Sequence, residues 1–201
     1  MNINKAIRKQ RKSYIRFLLS MCFVFFALPL TMIYYGKTDT FYIGYAAAIE
    51  TLVAVAVYLR AGQERLDFFY TMGRIRLKRG IPGKSESINC DKIMYVDIEP
   101  AAGKTKYFQE FGIILFSKAK FRNKKLKAVN HEVKNRYKMA AGLLEKNSAG
   151  SPGYELHYLT INSGGLRKYQ LLDTVFTSCV MAEFSENAIE KIKFYRNSIE
   201  S

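Results

Sequence analysis

The sequence predicts an α-helical hairpin that spans a membrane, followed by a mainly antiparallel β domain that a C-terminal helix closes. Three observations predict this fold. Residues 17–35 and 41–59 are two runs of nineteen residues with almost no polar side chains. From residue 60 onward, short segments with strand character are separated by turns rich in Gly, Pro and Ser. The final segment begins with Ser185, a residue type that caps helices, and its apolar residues recur at helical spacing.

The composition limits the class of protein. The chain has 201 residues, of which 49% are hydrophobic, and it carries a net charge of +15. This length suits one domain or two, and the apolar content excludes a disordered basic tail. A positive charge of this size indicates an anionic partner, either a nucleic acid or a lipid surface.

Each apolar run is long enough to cross a bilayer. Nineteen helical residues span about 28 Å, which is close to the thickness of the hydrocarbon layer. A core helix of a soluble protein normally shows a polar stripe, and neither run has one. A cleaved signal peptide is also disfavoured, because no small residues at cleavage-site spacing follow the first run.

The charges that flank the runs predict the orientation. Residues 1–16 form a basic arm with six Lys or Arg side chains and no acid, whereas the loop at 36–40 carries one charge of each sign. The second run is followed by Arg60 and Arg65. Because cytoplasmic flanks are enriched in Lys and Arg, we expect a multi-pass protein of the cell membrane with both termini in the cytoplasm. Residues 60–201 then form a cytoplasmic domain.

The hairpin contains four candidate helix-contact residues. Glu50 lies at the middle of the second run, where a charged carboxylate is costly, so we expect it to be protonated or paired. Pro29 leaves the Phe25 carbonyl without its helical donor at nearly the same depth. We therefore expect Glu50 to donate to this carbonyl or to a partner subunit, and an ion or proton pathway is the alternative. Gly44 and Ala48 form a small-xxx-small pair that suits close helix packing, within the hairpin or against another chain.

The region after residue 60 is predicted to form strands joined by turns and loops. The segments with strand character are 66–72, 74–79, 85–88, 93–98, 111–116 and 154–161. More strand is expected between residues 167 and 184. Turn chemistry marks 80–83 and 162–165, and loops are expected at 100–106 and 148–153.

The chain is predicted to end in a helix. Ser185 can cap a helix that runs from Glu186 to about Ser198. Its apolar face is predicted to consist of Ala188, Ile192, Tyr195 and Ile199.

A family resemblance covers the start of the predicted domain. The run 67–81, together with 88–98, resembles the opening of the bacterial pleckstrin-homology-like (PH-like) domain. That family often follows one or two membrane spans, and it also ends in a helix. The resemblance implies two packed antiparallel sheets closed by the C-terminal helix, and it implies no catalytic residues. The whole arrangement also resembles uncharacterised two-span membrane proteins of Gram-positive bacteria, but this chain departs from the family pattern by an insert at 117–150.

The insert at 117–150 is strongly basic. The candidate anion-binding residues in it are Lys118, Lys120, Arg122, Lys124, Lys125, Lys127, Lys134, Arg136 and Lys138. Such a cluster suits the phosphates of a nucleic acid or the anionic inner leaflet of a membrane. The hairpin holds the insert close to that leaflet, so we expect membrane lipids rather than nucleic acid. A protein partner and a merely solvated surface are the open alternatives.

No pattern in the sequence indicates catalysis, a metal or a cofactor. Residues 101–105 end like a phosphate-binding loop, but Ile98 stands where that motif requires its first glycine. The three cysteines, which lack metal or redox spacing, are Cys22, Cys90 and Cys179. We expect the first in the membrane and the other two as small buried apolar residues. His131 and His157 lack a nearby ligand cluster.

We therefore expect a non-catalytic integral membrane protein. It would present the PH-like domain as a binding or scaffold module at the inner face of the membrane. Its expected partners are anionic lipids of the inner leaflet and, within the membrane, another protein or a second copy. The alternative is a small subunit of a membrane assembly, for secretion, conjugation or transport, that uses the hairpin for assembly.

Overall fold

The protein begins with two long helices. The computed structural model describes residues 2–36, 39–80, 84–104, 109–118, 127–129, 133, 136–137, 142 and 157–200. The helices are α1 (Ile3–Tyr34) and α2 (Thr40–Glu64), and both are long and apolar enough to cross a membrane. Large apolar side chains along them, such as Phe23, Leu30 and Leu52, are exposed. An exposed apolar surface of this extent is typical of segments that contact a membrane or another protein, whereas the core helix of a soluble protein is mostly buried.

Helix α1 begins well before the apolar run. It includes most of the basic arm predicted at 1–16, and the Asn2 side chain caps it by accepting a hydrogen bond from the Asn4 N–H at 3.0 Å. The fourteen helical residues before Phe17 extend α1 by about 21 Å beyond the apolar run. At the far end Ile3 is 0% exposed and belongs to the core of the β domain. One continuous helix therefore connects the apolar hairpin with the interior of the domain.

The described residues of the domain form two β-sheets. The strands are β1 (Leu66–Thr71), β2 (Arg74–Arg79), β3 (Lys84–Asn89), β4 (Ile93–Lys104), β5 (Gln109–Ser117), β6 (Lys127–Ala128), β7 (His157–Ile161) and β8 (Glu183–Phe184). The first sheet has the order β1-β2-β3, and the second has the order β6-β7-β5-β4-β8. The strand pairs are antiparallel except for the short pair β4–β8. The prediction of a mainly antiparallel domain is confirmed.

Two local predictions are wrong. Strand β4 continues to Lys104, so the start of the loop predicted at 100–106 is strand, with an irregular register between Pro100 and Lys104. The strand predicted between 167 and 184 is replaced by helix α3 (Arg167–Ser178), with only β8 near the end of that region. The reason is a helical period, because Tyr169, Leu172 and Val175 are three residues apart and all buried.

The closing helix α4 (Glu186–Glu200) is confirmed. The Ser185 Oγ accepts a hydrogen bond from the Ala188 N–H at 3.1 Å, which is the predicted cap. Ala188, Ile192 and Tyr195 are buried as expected, but Ile199 is exposed on the last turn. The apolar face is therefore one turn shorter than the sequence predicts.

The core brings distant parts of the chain together. It contains Leu77 from the first sheet, Ile113 from the second, Leu172 from α3 and Ile192 from α4, in addition to Ile3. A hydrogen bond from Gln170 to Asn4 places the start of α1 beside the start of α3, and α1 also contacts α4. This arrangement positions the site described next.

Candidate functional site

The long helices meet the β domain at a junction built around Gln10. The Gln10 Nε2 donates a hydrogen bond to the Glu64 Oε2 at the end of α2, at 2.5 Å. The Gln10 Oε1 accepts a hydrogen bond from the N–H of Leu166, directly before α3, at 3.1 Å. A single side chain thus connects α1, α2 and the start of α3.

Two glycines allow the domain backbone to approach this junction. They lie in the turn predicted at 162–165, where Gly164 and Gly165 have φ angles of +106° and +50°. The Gly164 N–H donates to the Gln63 carbonyl of α2 at 2.7 Å. A Cβ atom on Gly164 would overlap the Leu66 side chain, and one on Gly165 would overlap Gln10. The close contact between helices and domain therefore requires glycine at both positions.

Further bonds fix α3 against its neighbours. The Arg167 Nη1 donates to the Leu66 carbonyl at 2.8 Å and to the Asp67 Oδ1 at 2.5 Å, both in β1. The Gln170 Nε2 donates to the Asn4 Oδ1 in α1 at 3.2 Å. The domain is thus attached to the helices at several separate points, in addition to the covalent connection between α2 and β1.

A cleft of about 620 Å³ opens at this junction. We call it the junction cleft and define it by Arg8, Arg11 and Tyr14 of α1, Arg65 before β1, and Arg167 of α3. In the sequence, Arg8, Arg11 and Arg65 indicate only the orientation of the hairpin in the membrane. Their convergence with α3 depends on the fold, and the sequence contains no local signal for it.

The acidic residues of the junction cleft already have partners. Glu64 forms an ion pair with Arg60 at 3.0 Å, and Asp67 pairs with Arg167. Within the part of the chain that the structure describes, Arg8, Arg11 and Arg65 form no ion pair with an acid. The junction cleft therefore has an excess of positive charge.

A second cavity, of about 630 Å³, lies beside β2 and β7. Two cations, Arg79 and Lys127, are among the residues that line it. Arg79 is mostly buried, forms an ion pair with Glu86, and donates from Nη1 to the Thr160 carbonyl at 2.7 Å. Buried ion pairs of this kind hold a local arrangement in place, and removing one partner is costly. We therefore assign Arg79 a structural role.

Three of the nine basic residues of the insert lie within the described residues. Lys118, Lys127 and Arg136 are exposed, and Arg136 forms an ion pair with Glu99 at 2.9 Å. The other six lie outside the described residues: Lys120, Arg122, Lys124, Lys125, Lys134 and Lys138. Anion binding by this cluster stays a prediction.

The four candidate contact residues of the hairpin fall into two pairs. Glu50 and Pro29 are half-buried, and among the described residues no hydrogen bond joins Glu50 to the Phe25 carbonyl. Gly44 and Ala48 are exposed, and nothing lies within 4 Å of a Cβ atom placed on Gly44. This pair is therefore not used for packing inside the hairpin. Contact with another chain stays a prediction for all four.

The structure pairs two cysteines that the sequence separates widely. Cys90 and Cys179 are buried, and their thiols form a hydrogen bond with each other. Burial raises the pKa of both thiols above the usual value, so both stay protonated and poorly nucleophilic. Cys22 is exposed on α1, within the apolar run. The prediction that Cys90 and Cys179 are buried is confirmed, whereas the sequence did not predict that the two thiols lie next to each other.

Lys168 is buried in the structure, although no sequence pattern predicts its burial. The Lys168 Nζ donates to the Asn162 carbonyl at 3.0 Å and lies 5.7 Å from the centre of the Phe111 ring. Burial is the main effect that lowers its pKa, and nearby Glu110 opposes it. Asn162 belongs to the turn that carries the two glycines, so Lys168 supports the junction from inside the domain.

The described residues contain no group of three or more His, Cys, Asp or Glu side chains placed to hold a metal ion. His157 is buried in β7, and His131 lies outside the described residues. The absence of a metal, a cofactor and catalysis stays a prediction.

Comparisons with protein-family models, with curated sequences and with solved structures give no significant match. The PH-like resemblance therefore also stays a prediction. The two sheets and the closing helix agree with it in outline, whereas α3 occupies a region for which we predicted strand. The junction fixes the β domain against the two long helices, and it is therefore the candidate functional site.

Proposed function

We propose that this chain is an integral membrane protein with both termini in the cytoplasm. It presents its β domain, of PH-like type, as a non-catalytic binding or scaffold module at the inner face of the membrane. One observation carries this proposal: α1 runs without a break from an exposed apolar segment into the core of the domain, where Ile3 is buried. The domain is thus held in a fixed position relative to the membrane surface.

The charges support the same orientation. The six basic residues of the first sixteen, together with Arg60 and Arg65, lie on the domain side of the apolar runs. That side is the cytoplasm by the positive-inside rule. The exposed Lys118 and Lys127 add positive charge to the domain, which suits an anionic inner leaflet.

The test uses membrane integration and one-sided labelling of the full chain. We expect the protein to stay in the membrane during alkaline carbonate extraction. A membrane-impermeant maleimide should label Lys193→Cys in α4 only in inside-out vesicles, and Tyr35→Cys at the end of α1 only in right-side-out cells. The wild-type chain is the background control, because Cys22 lies in the apolar run and the other two thiols are buried. Extraction by carbonate, or labelling of both positions from one side, would refute the proposal.

A second candidate function is that of a small subunit in a membrane assembly. The observation that favours it is the exposed pair Gly44 and Ala48, which leaves a close-packing face of α2 open. Purification of the full chain in mild detergent separates the two candidates. A stoichiometric integral membrane partner that is lost in Gly44→Leu would favour the assembly subunit.

A further inference from the structure

The junction cleft has the charge of an anion-binding site. Four arginines line it, and its two acids, Glu64 and Asp67, are held in ion pairs. The exposed residues Arg8, Arg11 and Arg65 form no ion pair with any acid in the described ranges. These arginines come from separate parts of the fold, and all of them line one space of about 620 Å³. That volume is typical of sites for small molecules or headgroups.

The depth of the cleft relative to the bilayer indicates which kind of anion can reach it. Tyr14 lies about one helical turn below Phe17, where the apolar run begins, and Arg11 lies about 9 Å below it. Arg65 lies at a similar depth below Leu59, the last residue of the second run. The polar headgroup layer on each side of a bilayer is about 5–8 Å thick. Arginines carry their charge on long flexible stems, so these side chains can reach that layer.

We propose that the junction cleft binds the phosphate group of an anionic phospholipid of the inner leaflet. Guanidinium groups form bidentate, charge-assisted hydrogen bonds with phosphate oxygens, and Arg8, Arg11 and Arg65 are available for them. Tyr14 supplies an apolar wall near the membrane surface, and the half-buried Ile7 lines the end of the cleft that lies farther from it. The inference rests on the proposed function, since the cleft faces the inner leaflet only if the termini are cytoplasmic.

A bound headgroup has a mechanical consequence. Its phosphate would contact α1 through Arg8 and Arg11 and the α2–β1 connection through Arg65. It would therefore stabilise the docked arrangement of helices and domain, as any ligand does that binds only the native state. Anionic lipid should raise the Tm of the domain, and the arginines of the cleft should be required for this effect.

The test compares two charge-matched variants of the full chain in nanodiscs. Arg8→Gln/Arg11→Gln removes two charges from the cleft. Lys9→Gln/Lys12→Gln removes two charges from the same helix turns, at exposed positions that do not line the cleft. Each protein is measured in phosphatidylcholine with increasing fractions of phosphatidylglycerol, and Tm is recorded. A separate arm adds inorganic phosphate to the protein in a neutral detergent.

We expect the Tm of the wild type and of the lysine variant to rise with phosphatidylglycerol. The arginine variant should need at least about tenfold more of this lipid, because losing one charge-assisted hydrogen bond alone has an effect of that size. If phosphatidylglycerol raised the Tm of the two variants equally, the effect would be diffuse electrostatic attraction, and the proposal of a specific binding site would be wrong. If inorganic phosphate alone raised the Tm by the same amount, the cleft would bind a soluble anion, and the proposal of a phospholipid ligand would be wrong. If labelling confirms the topology while the lipid response is absent, only this inference fails.

Discussion

The buried position of Ile3 leads to the sharpest prediction. Ile3→Ala removes three carbon atoms from a side chain that is 0% exposed. At about 0.8 kcal/mol per methylene group the transfer free energy is about 2.4 kcal/mol, and the remaining cavity adds to this loss. Because Ile3 lies on the first turn of α1, the helix end can partly relax into the space. We therefore expect the free energy of unfolding of the domain to fall by about 3 kcal/mol.

The measurement is urea unfolding of the full chain in nanodiscs, followed by tyrosine fluorescence. The matched control is Ile15→Ala, the same deletion on the same helix at a position that is 45% exposed. We expect Ile15→Ala to change the stability of the domain by less than about 0.5 kcal/mol. Equal losses in the two variants, or no loss in Ile3→Ala, would show that α1 does not dock in the domain, and the proposed function would lose its main support.

Three further predictions concern the domain. Gly164→Ala should destabilise it by about 1–3 kcal/mol in thermal unfolding, because the new side chain meets both a positive φ angle and a neighbouring side chain, whereas Gly44→Ala in open space should not. Cys90 and Cys179 should resist alkylation in the native protein and react fully after denaturation, as mass spectrometry would show; rapid native labelling would contradict their burial. The pKa of Lys168 is lowered by burial, so the stability conferred by its neutral form is complete above pH 10.5 and declines as pH falls towards the folded pKa. The free energy of unfolding of the wild type should therefore fall relative to that of Lys168→Met as the pH is lowered from 10.5, and parallel curves would refute this.

The sequence predicts the elements whose signals are local. A run of nineteen mostly apolar residues predicts a membrane span from its own composition, and Ser185 caps α4 through an N–H only three residues away. The region of α3 shows the limit of such signals. Its buried residues include Leu171 and Leu172 beside Tyr169, and this dense apolar pattern is compatible with both a strand and a helix. The contacts with β1 and α1 that favour the helix come from distant residues.

The candidate site could not be predicted because its parts are distant in sequence. Gln10 is an ordinary polar residue in a basic arm, and its two partners lie 54 and 156 positions away. Cys90 and Cys179 likewise meet only through the packing of the core. For Arg8, Arg11 and Arg65 the sequence correctly reports the charge, but the shape of the cleft depends on how α3 is placed.

The burial of Ile3 also constrains the order in which the protein forms. Ile3 leaves the ribosome well before α4, which borders the same core. The start of α1 therefore stays undocked while the intervening chain is synthesised from its N-terminal side. Under the proposed topology, its basic residues are free during that interval to direct membrane insertion. Docking follows once α3 and α4 have been translated, and the same residues then line the finished junction.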